Sequence, residues 1–275
     1  MDANNHKLDT VLKERQQWVV PVYQRQYAWG RDLISQFWDD IQALSDNYIE
    51  TGKVFPHFFG AIIYSNANTD GFGAIRLQHV VDGQQRLTTF HLFLSVLLDQ
   101  ARKRGLSRHE ARLSEYLFNA ESAAMDDPVR DRHKLWSSSQ DRPHYMVLTD
   151  QGIEGLQEKY PHAFRKNGKV FLSDPNGPVP RMVRAFAILN EKVDAYISSE
   201  SNSEREADSV PLERIFDGLM SALLMGLIIV VIELGKDDDA RAIFASLNGR
   251  SKPLSAFDLI RNDYLSACSS GQRIR

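Results

Sequence analysis

Asp82-Gly83-Gln84-Gln85-Arg86 brings a carboxylate, two carboxamides and a guanidinium together in consecutive residues. The strand pattern ends at Val80-Val81 just before this run, and a long helical pattern opens at Leu87 just after it. The polar groups are therefore expected at a sharp strand-to-helix turn. N–H groups in the first turn of a helix point outward and the helix dipole favours anions, so such a turn suits a phosphate. A plainer account covers part of the run. Asp82 is an acceptable N-cap, and Gln85 would complete a capping box with it. Capping does not explain why Gln84, Gln85 and Arg86 stand together.

Two further segments mix polar and aromatic residues. One is Val20-Pro21-Val22-Tyr23-Gln24-Arg25-Gln26-Tyr27-Ala28-Trp29. The other runs from Phe244 through Asn248-Gly249-Arg250-Ser251 to Asp258, Arg261 and Asn262. Arg25 and Arg86 are forks suited to phosphate oxygens. Gln24, Gln84 or Gln85 can orient water or grip a phosphate. Asp82 would repel a triphosphate unless Mg²⁺ lay between them, so it is either a metal ligand or the N-cap. Asn248 and Arg250 either close the same pocket or form a helix C-cap, and Asp258, Arg261 and Asn262 read as one polar helix face. Tyr23 and Arg25 would share a strand face, a pairing suited to a stacked base or a phosphate. Tyr27 and Trp29 are expected in the core.

These three segments, in this order, resemble the N-terminal domain family of GmrSD-type restriction systems, which has a ParB/sulfiredoxin-like core. The same domain type occurs in phage-defence proteins that respond to modified DNA, including the phosphorothioate-sensing SspE type. The matches span positions 20 to 262. Ser251 stands where the family pattern has glycine after the arginine of the third segment. The resemblance implies an NTP-hydrolysing sensor that needs Mg²⁺, recognises a modified base or backbone in DNA, and controls an HNH-type nuclease domain or subunit. It implies catalytic roles for Asp82, Gln84, Gln85 and Arg86. Nucleotide or phosphate contacts would come from Tyr23, Gln24, Arg25, Gly83, Asn248 and Arg250. No HNH domain follows within the chain, which suggests a separate subunit or a piece of a longer protein. The rival functions are a DNA-binding module without NTPase activity and a ParB-like nuclease in its own right.

Bulk properties narrow the field. The 275 residues carry a net charge of −3, so DNA contact would need a local basic patch. The runs Arg102-Lys103-Arg104, Arg130/Arg132/Lys134/Arg142 and Arg165-Lys166/Lys169 are candidates, each more readily explained as a solvated face. One cysteine, Cys268, rules out a disulfide framework and a thiolate zinc site. The histidines lack His-Glu-x-x-His spacing, and no Walker-type loop or Gly-x-Ser-x-Gly elbow occurs. The apolar run Leu219–Leu234 is interrupted by Ser221 and Gly226 and carries Glu233, so it is not expected to span a membrane. A cytoplasmic protein without a signal peptide is expected.

The elements needed to position the polar turn follow from periodicity. Helices are expected at Leu8–Lys13, Arg31–Tyr48, from the turn to about Arg104, at Arg181–Ser198 behind Pro180, and at Leu212–Met225. Strands are expected through Trp18, Val20 and Val22, with Pro21 marking an edge, and at His57–Tyr64 and Ala74–Val81. A fully buried strand is expected at Leu227–Ile232, returning to the same sheet. Ser198–Ser209 reads as a mobile loop, and Asp237–Leu247 and Ser255–Ala267 as closing helices. The expected fold class is α+β. A small mixed, ParB-like core over 1–104 is interrupted by a helical insertion over 105–209, and 210–275 returns with a strand and closing helices.

Overall fold

Leu87 to Ala101 is buried without a break, and the rest of the fold is arranged about that helix. A helix buried on all sides needs partners all round. In the computed structural model they come from both halves of the chain. The structure describes residues 2–67, 74–121, 125–171, 178–201 and 210–235, with residues 238 and 243. The expected closing helices at 237–247 and 255–267, and with them Asn248, Arg250, Ser251, Asp258, Arg261 and Asn262, lie outside the described residues.

In chain order the elements are β1 (Asp2–Lys7), α1 (Leu8–Lys13), β2 (Gln16–Val19), α2 (Arg31–Thr51), β3 (His57–Asn66), β4 (Arg76–Asp82), α3 (Gln84–Lys103) and α4 (Ser107–Leu117). Then come α5 (Pro128–Asp131), β5 (Leu135–Trp136), α6 (Arg142–Lys159), α7 (Arg181–Ser201), α8 (Leu212–Ser221) and β6 (Leu227–Leu234). The strands form one mixed sheet in the order β1-β6-β3-β4-β2-β5. The β3–β4 and β1–β6 pairs are antiparallel, whereas β3–β6, β2–β4 and β2–β5 are parallel. This is the α+β class expected from the sequence, and β6 does return to the sheet begun by the first hundred residues.

Helix α3 packs against α4, α6 and α7, and α2 against α7 and α8. One continuous hydrophobic cluster holds Leu8, Trp18, Phe37, Phe90, Leu148, Phe186 and Leu227, drawn from most of the described elements. Phe37 anchors it with edge-on contacts to Phe59 and Phe93.

Four local expectations need correction. Strand β2 stops at Val19, because Pro21 opens a turn in which the Gln24 N–H donates to the Pro21 carbonyl at 3.0 Å. Nor is β2 an edge, since the two residues of β5 pair outside it. Strand β6 is paired on both sides, yet Ile228, Val230 and Ile232 are only partly buried on one face. The segment read as a loop from Ser198 is helical as far as Ser201, and 202–209 lie outside the described residues.

Candidate functional site

Strand β4 ends at Asp82, and α3 begins at Gln84, so the polar run does occupy a strand-to-helix turn. Its hinge is Gly83, which sits at the N-cap with φ of 89°. A Cβ there would lie 2.7 Å from the Ala61 carbonyl and 3.0 Å from the Ile62 Cα. Left-handed backbone and close approach thus both demand glycine. No side chain caps α3, so the capping-box reading of Asp82 and Gln85 is overturned. The Gln85 side chain is committed elsewhere.

Gln85 reaches sideways to the loop after β2. Its Oε1 accepts from the Ala28 N–H at 2.7 Å, and its Nε2 donates to the Gln26 carbonyl at 3.2 Å. Gln84 Nε2 donates to the Arg25 carbonyl at 3.2 Å. In return Gln24, which is buried, donates to the Val81 carbonyl at 2.8 Å. Tyr27 closes the seam from inside, its hydroxyl 2.8 Å from Thr89 Oγ1. Burial pushes the Tyr27 phenol well above its ordinary pKa, so it stays neutral. Three glutamines therefore bind the first polar segment to the second through its backbone groups and that of Val81.

Arg86 lies on the other side of the turn. Its Nη1 donates to the Ala61 carbonyl at 3.1 Å and stands 3.9 Å from Asp82 Oδ2. Both side chains of that pair are about a third exposed (36% each), so the pair adds little to stability. The arginine stem crosses Gly60, where β3 has a positive φ of 108° beside an irregularity in its pairing with β6.

The chain matches the family model described as GmrSD restriction endonuclease, N-terminal domain, over residues 8–265. It belongs to this family. The GmrSD-type domain is thus a module of a restriction system, and its family points to dealings with DNA. No curated protein matches the chain.

The helical part of the GmrSD-type domain also holds the loop. The Tyr27 N–H donates to Asp141 Oδ2 at 2.8 Å, and Arg181 Nη1 donates to the Ala28 carbonyl at 2.6 Å. Asp141 occupies the N-cap position of α6 but does not cap that helix. Sequence reasoning missed Gly60, Asp141 and Arg181. A glycine within the apolar run Phe58-Phe59-Gly60-Ala61-Ile62 does signal a bulge or a close approach. Asp141 before Arg142-Pro143 reads only as a helix cap, and nothing local marks Arg181.

Of the remaining expected residues, Arg25 is exposed, and among the described residues its guanidinium has no hydrogen bond or ion pair. Tyr23 is half-buried in the turn after β2 rather than on a strand face. Tyr27 is core, and Trp29 packs against it beside Phe59. The basic runs divide by chemistry. Arg102, Lys103, Arg104 and Arg132 each meet a carboxylate, from Glu110, Asp99, Asp194 and Asp150. Lys134 is buried, donating to the Leu12 and Lys13 carbonyls at the end of α1. Arg142 stacks on Trp136 with its guanidinium carbon 4.1 Å from the ring centroid.

Among the described residues no group of three or more histidine, cysteine or carboxylate side chains could hold a metal ion. Asp82 is the carboxylate at the turn itself. Mg²⁺ is commonly held by one or two carboxylates together with substrate phosphates, so a single exposed carboxylate fits a metal that arrives with its nucleotide. Among the described residues no helix is long and apolar enough to cross a membrane.

Proposed function

We propose that the domain binds a nucleoside triphosphate at the Asp82–Arg86 turn, hydrolyses it, and through that cycle controls a nuclease directed at modified DNA. The observation that carries this reading is the glutamine seam. Gln24, Gln84 and Gln85 fix the Arg25 loop against the turn that bears Arg86. Two segments with phosphate-binding chemistry are held in register before any ligand arrives, which lowers the ordering cost of binding.

In this reading Arg86 grips the phosphate on which charge develops. It is a forked donor held at one end by the Ala61 carbonyl, with its remaining N–H groups available. Arg25 stands on the loop that Gln84 holds against this turn through the Arg25 carbonyl. Gln84 and Gln85 act chiefly by positioning, because Gln85 spends both ends of its amide, and Gln84 its Nε2, on the loop backbone. Mg²⁺ would be held by Asp82 and phosphate oxygens and would supply charge neutralisation at the transferred group. The modified base or backbone would be recognised by the assembled system, and an HNH-type domain or subunit would do the cutting.

Release of inorganic phosphate from each of the four NTPs, with Mg²⁺, tests the reading. Arg86→Ala is expected to lower turnover by roughly 10³-fold or more, in line with loss of a phosphate-bound guanidinium. An unchanged rate in a folded Arg86→Ala protein would sink the assignment.

A further inference from the structure

Between the Arg25 loop and the first residues of α6 and α7 lies a cleft of about 640 Å³. Arg25, Gln26, Gln140, Asp141, His144 and Arg181 contribute to its lining, and the stretch Pro178–Pro180 forms an apolar wall. We propose that this cleft binds a nucleoside phosphate, with the phosphate between Arg25 and Arg181 and the base toward Gln26, Gln140 and His144.

Size is the first support. The volume falls within the roughly 300–1,000 Å³ of small-ligand sites. Charge is the second. Arg25 and Arg181 are both exposed, and among the described residues neither has a carboxylate partner. Arg181 spends one N–H on the Ala28 carbonyl, which leaves the rest of its fork available. The one carboxylate of the lining, Asp141, is buried and already accepts from the Tyr27 N–H and the Ser138 hydroxyl, each at 2.8 Å. The open surface of the cleft is therefore cationic in a chain whose net charge is −3.

The third support is the mixture of chemistries. A bare phosphate site needs only donors. Here two exposed carboxamides, which can both donate and accept, stand with an imidazole and a proline-rich wall. Base edges need paired donors and acceptors, and base faces need flat apolar contact. His144 is among the lining residues, and its Nδ1 is engaged by the Tyr160 hydroxyl. Burial, then the nearby Lys159, lowers its pKa, so it enters as a neutral ring.

The inference rests on the nucleotide reading above in supposing a nucleotide ligand, but its test does not need hydrolysis. The full chain is titrated by calorimetry with nucleoside mono- and triphosphates, and separately with a short single-stranded DNA. The two arms distinguish a free nucleotide from one carried in a strand. Arg181→Ala and Gln140→Trp, the second a plug at an exposed position, should each weaken binding by about tenfold or more. That matches the loss of one charge-assisted contact or of the space itself. Circular dichroism checks that both variants are folded. Unchanged affinity in both, or no binding of either nucleotide form by the wild-type chain, overturns the proposal. Phosphate release with unchanged affinity in the variants would uphold the hydrolytic reading and remove this one. Variant-sensitive binding without phosphate release would do the reverse.

Discussion

Arg86 lies across Gly60 so closely that a Cβ on the glycine would stand 2.8 Å from the guanidinium Nε. The strand has surrendered a side chain at that point, and its backbone adopts a φ of 108° there. The arginine is thereby pressed flat against β3, with its Nη1 on the Ala61 carbonyl.

Gly60→Ala should act on both partners. The left-handed backbone costs about 1–3 kcal/mol with an L side chain, and the methyl group displaces Arg86. Lower thermal stability and phosphate release as weak as that of Arg86→Ala are expected. In the double variant the steric part should vanish, so its destabilisation should fall short of the two single effects added together. Simple additivity in thermal melts would show that the contact does not matter.

Gln85→Ala leaves the Ala28 N–H and the Gln26 carbonyl without their present partners. The exposed Gln26 carbonyl can turn to water, so the loss falls on the part-buried Ala28 N–H and amounts to about 1 kcal/mol. The loop, not the core, should respond: faster amide exchange at Gln26–Ala28 and a raised KM for nucleotide, with α3 protection unchanged. Uniformly faster exchange across α3 would instead make Gln85 part of the helix scaffold.

Stability should fall in mild acid because of His91. The ring is fully buried, its Nδ1 is 3.2 Å from the Tyr145 hydroxyl, and burial, aided by Lys134 and His133, pushes its pKa down to about 3. The unfolded chain, with an ordinary value of 6.5, binds the proton first. Stability from this group is therefore full above about pH 6.5 and is lost as pH falls toward 3, at about 1.4 kcal/mol per pH unit. Urea unfolding between pH 4 and 7 measures the slope. His91→Gln should flatten it, and an unaltered slope would assign the acid sensitivity to other groups.

The chain alone should not nick supercoiled DNA, with or without divalent metal. Phosphodiester cleavage commonly needs metals clamped by several carboxylates or histidines, and the turn offers Asp82 beside Arg86. His79 is exposed on β4, and His91 is sealed inside α3. Nicking at catalytic rates that disappears in Asp82→Ala would establish a nuclease site where a nucleotide site is proposed.

Periodicity and composition alone determined most of the elements. The apolar repeat read at Arg31–Tyr48 is the helix Arg31–Thr51, the one read from the turn to about Arg104 is the helix Gln84–Lys103, and the β-branched run Leu227–Ile232 lies in the strand Leu227–Leu234, because burying an apolar face or run requires that regularity. The strand-to-helix turn at Asp82–Arg86 was equally legible, since polar residues and glycine break two apolar patterns there. What the polar residues of the turn do was decided only by tertiary structure. Gln85 had a fair local partner in a capping box, yet backbone groups of Gln26 and Ala28, brought alongside by the sheet, proved the available ones. Asp141 likewise reads as a helix cap but accepts from Tyr27, and Pro21 reads as an edge marker until β5 pairs outside β2. A local pattern records which groups need a partner; which partner is within about 3 Å depends on chain segments a hundred residues away.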